Sequence, residues 1–301
     1  MPLSLLLPLM LAQAGGFDLD NPYASALPRE IVEKKAEEDR KRREERAMSE
    51  VTLPSARSNT GCMSAVETDP RRSAELARTA LADAIGRERV RAGLCLGVAL
   101  SDLGQWDDAR EAFVTARDAA DVDDHASRAR LGEMAGNAAL AAGQPGQALG
   151  VLAPAASDAQ AVNDPSLTAA IAIDRARALV AVKQPDEAAA ALAQAREVQP
   201  ENAQAWLLSA TLSRRQNKLI EAQTQIEQAA RLAPRDPEVG LEAGVIAVLS
   251  GNDTAARRSW NSVLAMAPES EAAATAKNYI VQLGPEAPGP ATAGAKEPVK
   301  P

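Results

Sequence analysis

The sequence predicts an all-α protein made of antiparallel helix pairs repeated at a constant interval. Three observations predict it. First, the segments Pro185–Pro200, Ile220–Pro234 and Asp253–Pro268 share one pattern. A small residue (Ala188, Ala222, Ala256) is followed by a bulky one (Leu192, Ile226, Trp260), then an apolar one (Ala195, Ala229, Val263), then proline (Pro200, Pro234, Pro268). The small residues recur at a step of 34 both times. Second, the chain is 46% apolar but only 2% aromatic, and Ala, Leu, Arg, Glu and Gln dominate, so helix propensity is high throughout. Such a core should be thin and repetitive. Third, no stretch sustains the period-2 alternation of a half-buried strand, so no sheet is expected.

A period near 34 with two helical patterns per unit is the signature of tetratricopeptide repeats. On the segments above, the chain resembles that family. The resemblance implies a right-handed α-solenoid of helix pairs, A and B, that binds other proteins. It also implies small residues where the two backbones approach most closely, and a concave face lined by helix A. Carried onto this sequence, it gives five full units at 90–121, 129–160, 169–200, 203–234 and 237–268.

From the N-terminus, residues 1–14 read as a secretory signal. A short apolar run from Leu3 to Ala12 leads into Ala12-Gln13-Ala14, which looks like a small-residue cleavage site. The run is too short to span a bilayer. This places the protein in the bacterial periplasm; a frayed apolar start of a cytoplasmic protein is the other reading. Residues 15–54 read as a linker and a charged arm. Arg29 to Arg46 holds eight basic and seven acidic residues, with Glu30–Lys34, Glu37–Lys41, Glu38–Arg42 and Asp39–Arg43 spaced to support a solvated helix.

A degenerate unit, 55–86, opens the solenoid of 55–284. Cys62 takes its helix-A small position, Ala74 its helix-B one, and Asp69-Pro70 its turn. The first full unit has Leu96, Gly97 and Leu100 on helix A, Gly104 in the turn, and Ala109, Phe113 and Ala116 on helix B. The second has Ala135-Gly136, then Gly143, then Ala148, Leu152 and Ala155. The third has Ala172, Ala176 and Leu179 on helix A, the fourth Trp206 and Ala210, the fifth Gly244, Ala247 and Gly251. From Ala109 to Ala148 the step is 39 and from Ala148 to Ala188 it is 40, which predicts longer connections around Asp121–Ala126 and Asp158–Pro165. A capping helix at 270–283, with Ser270 as N-cap and Gly284-Pro285 as stop, should cover the last apolar face. Residues 285–301, rich in Pro, Gly and Ala, should be disordered.

The candidate chemistry is sparse. A net charge of −8 argues against a nucleic-acid footprint. Two cysteines and one histidine cannot furnish a zinc site. His125, in Asp121-Val122-Asp123-Asp124-His125, lacks the Gly and distal Glu of a calcium loop, so Asp123 or Asp124 is read as a helix start. No catalytic constellation, cofactor motif or metal cluster is found, so the expectation is a non-enzymatic protein without cofactors. Cys62 and Cys95 lie on helix A of consecutive units, at neighbouring faces. In an oxidising compartment they would form a disulfide tying the N-terminal edge; two buried thiols packed as small hydrophobes is the other reading.

The binding surface is implied by the resemblance. In the family the ligand lies against helix A, and the side chains facing it here would be Leu94, Val98, Glu133, Asn137, Ile173, Arg177, Leu207, Thr211, Leu241 and Val245. Arg130 and Arg214 would sit at the edge. An apolar stripe with a few arginines suits an extended or helical peptide carrying an acidic group. The carboxylate clamp of chaperone-binding relatives is not matched, since only Asn137 answers to it. An envelope assembly factor acting by self-association and a regulatory subunit of an enzyme are the alternatives. Partner and oligomeric state are left open.

Overall fold

The structure, a computed structural model, describes residues 59–285 together with Lys41. The signal segment, the linker and most of the charged arm, and the tail beyond residue 285 lie outside the described residues. Thirteen helices and no strand are present among the described residues. In chain order they are α1 (Asn59–Thr68), α2 (Pro70–Asp83), α3 (Gly86–Asp102), α4 (Trp106–Ala119), α5 (His125–Ala141), α6 (Pro145–Ala161), α7 (Pro165–Ala181), α8 (Pro185–Val198), α9 (Ala203–Arg215), α10 (Leu219–Leu232), α11 (Pro237–Leu249), α12 (Asp253–Met266) and α13 (Glu271–Leu283). Each odd-numbered helix packs on the even-numbered helix that follows it, and α13 packs on α12 and α11.

The later first helices begin on a side-chain cap: Asp124 accepts from Ser127 N–H (3.1 Å), Asp164 from Leu167 N–H (3.0 Å), Asn202 from Ala205 N–H (3.1 Å) and Asp236 from Glu238 N–H (2.9 Å). Each cap satisfies one of the orphan donors at a helix N-terminus. Asp124 thus takes the helix-start role expected of it. Hydrogen bonds from Ser127, side chain first and then backbone, hold its carboxyl below the ordinary carboxylate range. Ser270 caps α13 in the same way, accepting from Ala273 N–H at 3.0 Å.

Second helices follow a turn that is the same in all five units. The N–H three residues past each first helix reaches back five residues, as Gln105 to Leu100 O (2.8 Å), Gln144 to Ala139 O (2.9 Å), Gln184 to Leu179 O (2.8 Å), Lys218 to Ser213 O (2.8 Å) and Asn252 to Ala247 O (2.8 Å). This closure requires a left-handed residue just before that donor. Gly104, Gly143 and Gly251 fill the position, and so do Asn217 (φ 60) and Lys183 (φ 63). Lysine has a Cβ and no local hydrogen bond to offset the cost. Lys183→Gly is therefore expected to raise the unfolding free energy by about 1 kcal/mol, read as a higher midpoint in a urea titration.

The pairs close by setting a bulky side chain of the second helix into a notch of the first. A Cβ added at Gly97 would meet Phe113 Cδ1 at 2.5 Å, at Gly136 Leu152 Cγ at 2.5 Å, and at Gly244 Trp260 Cδ1 at 2.5 Å. Ala176 with Leu192, and Ala210 with Ile226, occupy the corresponding places within shared core clusters. The matched alanines Ala109, Ala148, Ala188, Ala222 and Ala256 are all fully buried. The core is accordingly a string of small clusters along the stack rather than one mass.

One local expectation is corrected. The extra residues of the second and third units do not mainly lengthen loops. They lengthen helices: α5, α6 and α7 each have 17 residues, whereas α8 has 14. Asp158, expected in a loop, lies inside α6 and is buried. Its carboxylate sits 2.7 Å from His125 Nδ1 and 3.3 Å from Arg128 Nε, so the long end of α6 is tied to the first turn of α5. Pro154, also inside α6, is tolerated because it and Gly150 are exposed, leaving the freed carbonyl to water.

Candidate functional site

Among helices not consecutive in the chain, the substantial contacts all join odd-numbered helices: α1 with α3, α5 with α7, α9 with α11, and α11 with α13. A stack whose first helices lie closer together than its second helices bends toward the first. The odd-numbered helices therefore line the inner wall. The open surface of this wall is built from side chains that point neither at the partner helix nor at the next unit.

Leu94 and Val98 on α3, Glu133 on α5, Leu207, Thr211 and Arg214 on α9, and Leu241 and Val245 on α11 are half-buried. Arg130 and Asn137 on α5 and Arg177 on α7 are exposed. Ile173 on α7 departs from the expected pattern: at 3% exposure it belongs to the core around Ala172, Ala176 and Leu192. It packs in the cluster shared by α7, α8 and α9. The apolar surface is thus split into two stretches, one on α3 and one on α9 and α11, with a polar patch between them.

That patch centres on Asp174, a residue that the spacing argument did not single out. It is buried within α7, yet it sits in the otherwise apolar run Ala169 to Ile173, which was the available signal. Arg177 Nη1 donates to its Oδ1 at 2.8 Å, and Asn137 hydrogen-bonds to it from α5. An ion pair normally lowers a carboxyl pKa. Here burial outweighs Arg177 and Asn137, and the Asp174 carboxyl is pushed above its ordinary range. Glu133 is pushed up as well, first by burial and then by the Asp174 charge, with Arg130 opposing.

The sign of the consequence follows directly. Both carboxyls bind a proton more readily folded than unfolded. Stability therefore falls as pH rises from the ordinary carboxylate range through their raised values, and then levels off. Glu133→Gln is expected to flatten that fall, measured as the urea midpoint against pH; an unchanged slope would show that Glu133 does not feel its surroundings in this way.

The arginines are largely occupied. Arg214 binds Glu242 on α11 through two contacts, Nε to Oε1 at 2.6 Å and Nη2 to Oε2 at 3.2 Å, and joins two successive first helices. Arg214→Ala would leave the mostly buried Glu242 carboxylate unpaired, at an expected cost of about 1–2 kcal/mol in chemical denaturation, reduced by partial exposure. Arg177 is held by Asp174. Arg130 is held more loosely: its ion pair with Asp164 is long, at 3.9 Å, and its side chain is 68% exposed. Trp206 does not line the wall. Its ring lies under Arg196 of α8, 4.7 Å from the guanidinium carbon, and its N–H donates to Pro200 O at 2.7 Å, stitching the third unit to the fourth.

Cys62 and Cys95 are joined by a disulfide, with Cα atoms 5.8 Å apart, so α1 is bonded covalently to α3. No group of three or more potential metal ligands occurs among the described residues. No described helix is long and apolar enough to cross a membrane. A second depression, lined by Ile220, Ala230, Ala243, Ala247, Ala255 and Ser259, opens between the second helices α10 and α12.

Comparisons with known proteins agree with this geometry. Residues 173–222 match the family described as tetratricopeptide repeat. No curated protein matches the chain in sequence. PilW, described as a widely conserved type IV pilus biogenesis factor, is 19% identical with a TM-score of 0.56, covering 72% of this chain and 94% of its own. PilF of Pseudomonas aeruginosa is 16% identical with a TM-score of 0.53, covering 73% and 99%. BtubC (BKLC) of P. vanneervenii is 14% identical with a TM-score of 0.54, covering 80% and 99%. At these identities the likeness is one of fold. Residues 173–222 are thus a tetratricopeptide repeat by sequence, and the five like turns and the notched helix pairs carry the same fold along the array on both sides of that segment.

Proposed function

We propose that the chain is a non-catalytic scaffold that holds a peptide or protein segment along the inner wall of its first helices. The observation that carries this reading is the wall itself: Leu94, Val98, Leu207, Leu241 and Val245 pack on the core yet stay partly open to solvent. Apolar side chains left in this way on a preformed surface suit a ligand presenting apolar groups. A wall already formed by the packed helices would put little ordering cost on the host side. An acidic group on the ligand would meet Arg130, whose ion pair with Asp164 is long and whose side chain is exposed. The disulfide favours an oxidising compartment, consistent with export to the periplasm.

The test is affinity capture from envelope and cytosolic fractions, using the wild type and an Arg130→Glu/Asn137→Arg variant. Both altered positions are exposed, so the fold should survive, as circular dichroism would verify. A partner captured by the wild type and lost by the variant supports the reading. Equal capture by both places binding elsewhere.

A further inference from the structure

We propose that the Cys62–Cys95 bridge is a thiol-operated latch: oxidised, it holds α1 against α3, and reduced, it lets α1 detach while the rest of the array stays folded. Several observations converge on this. Helix α1 has only 10 residues, shorter than an isolated helix needs to be stable in water. Among its described side chains Val66 alone is buried. Its described side-chain hydrogen bond, Thr68 Oγ1 to Ser64 O at 2.9 Å, stays within the helix. The joint to α2 is the single residue Asp69, which serves α2 as its N-cap. Among the described side chains, what fastens α1 sideways is therefore the buried Val66 and one covalent bond.

The other end of the bond does not depend on α1. Helix α3 buries Ala92, Gly93, Leu96, Gly97, Ala99 and Leu100. Gly93 and Gly97 are notched against Ala116 and Phe113 of α4. Loss of α1 would leave that pair intact and uncover the edge of the cluster to which Leu94, Cys95 and Val98 belong. Both cysteines are half-buried rather than sealed, so a reductant can approach.

The chemistry is thiol–disulfide exchange with a dithiol. One reductant thiolate attacks a cystine sulfur; the Cys62–Cys95 bond breaks and the departing thiolate takes a proton. The second reductant thiol then displaces the other cysteine from the mixed disulfide. Two electrons pass to the protein, which ends with two thiols, and the dithiol ends as a disulfide.

The experiment is hydrogen exchange read by mass spectrometry on the full chain, oxidised and after treatment with dithiothreitol, together with the Cys62→Ser/Cys95→Ser variant. In the reduced protein and in the variant, amides of residues 62–68 should exchange at least about tenfold faster, with residues 86–266 unchanged. Unchanged exchange at 62–68 would overturn the latch. So would acceleration spreading through α3 and α4, because the bridge would then be a staple for the whole N-terminal end.

Discussion

Gly244→Ala is expected to destabilise the protein by about 3 kcal/mol, although alanine is the better helix former. The added methyl would lie 2.5 Å from Trp260 Cδ1 and as close to Cε2. The indole has little freedom to retreat. It is 3% exposed, its N–H donates to Leu241 O at 3.1 Å, and its ring centroid lies 5.3 Å from that of Tyr279 on the capping helix. Moving it would lose the hydrogen bond and the contact with α13 together, and these losses outweigh the propensity gain of roughly 1 kcal/mol. Because α12 and α13 close the stack, the loss should appear as early unfolding of the C-terminal end in a urea titration followed by tryptophan fluorescence. Trp260→Leu should cost less in the Gly244→Ala background than in the wild type, with a coupling of about 1–2 kcal/mol. Additive effects would mean that the notch and the indole do not meet.

Phe113→Ala removes the corresponding knob at the other end. Phe113 is 2% exposed and fills the gap opened by Gly97. Phe113 lies in a cluster with Leu96, Leu100, Ala109 and Ala116. The expected loss is about 4 kcal/mol, near the upper part of the range for burying nothing where an aromatic ring stood. A thermal or urea midpoint unchanged by this substitution would contradict the notch-and-knob account of the fold.

The repeat was legible because its signal lies in residue size at fixed positions. Ala188, Ala222 and Ala256 have to be small wherever two backbones meet, and that requirement survives in the sequence. Helix lengths were less legible. The boundaries of α6 and α7 were blurred by Asp158, Asn163, Asp164 and Pro165, residues typical of loops, of which only Asn163 and Asp164 fall outside the helices. Asp158 could be helical because His125 and Arg128 compensate its burial, a contact between separate helices that no local pattern reveals.

The wall was legible as positions but not as chemistry. Val98, Asn137, Thr211 and Val245 share a register, yet the same register gives no sign that Arg214 is already taken by Glu242, or Arg177 by Asp174. These pairings join successive helices or cover a buried carboxylate, and they depend on where the stack brings its first helices together. Ile173 illustrates the same limit, since it is buried in the cluster of α7, α8 and α9 at a position that elsewhere stays partly open.

Site-specific photo-crosslinking in cells tests the binding reading most directly. A benzophenone amino acid at Asn137, exposed on the inner wall, is compared with one at Gln223, exposed on the second helix α10. A discrete protein adduct from residue 137 and none from 223 is the predicted result; an adduct from 223 with none from 137 would contradict it.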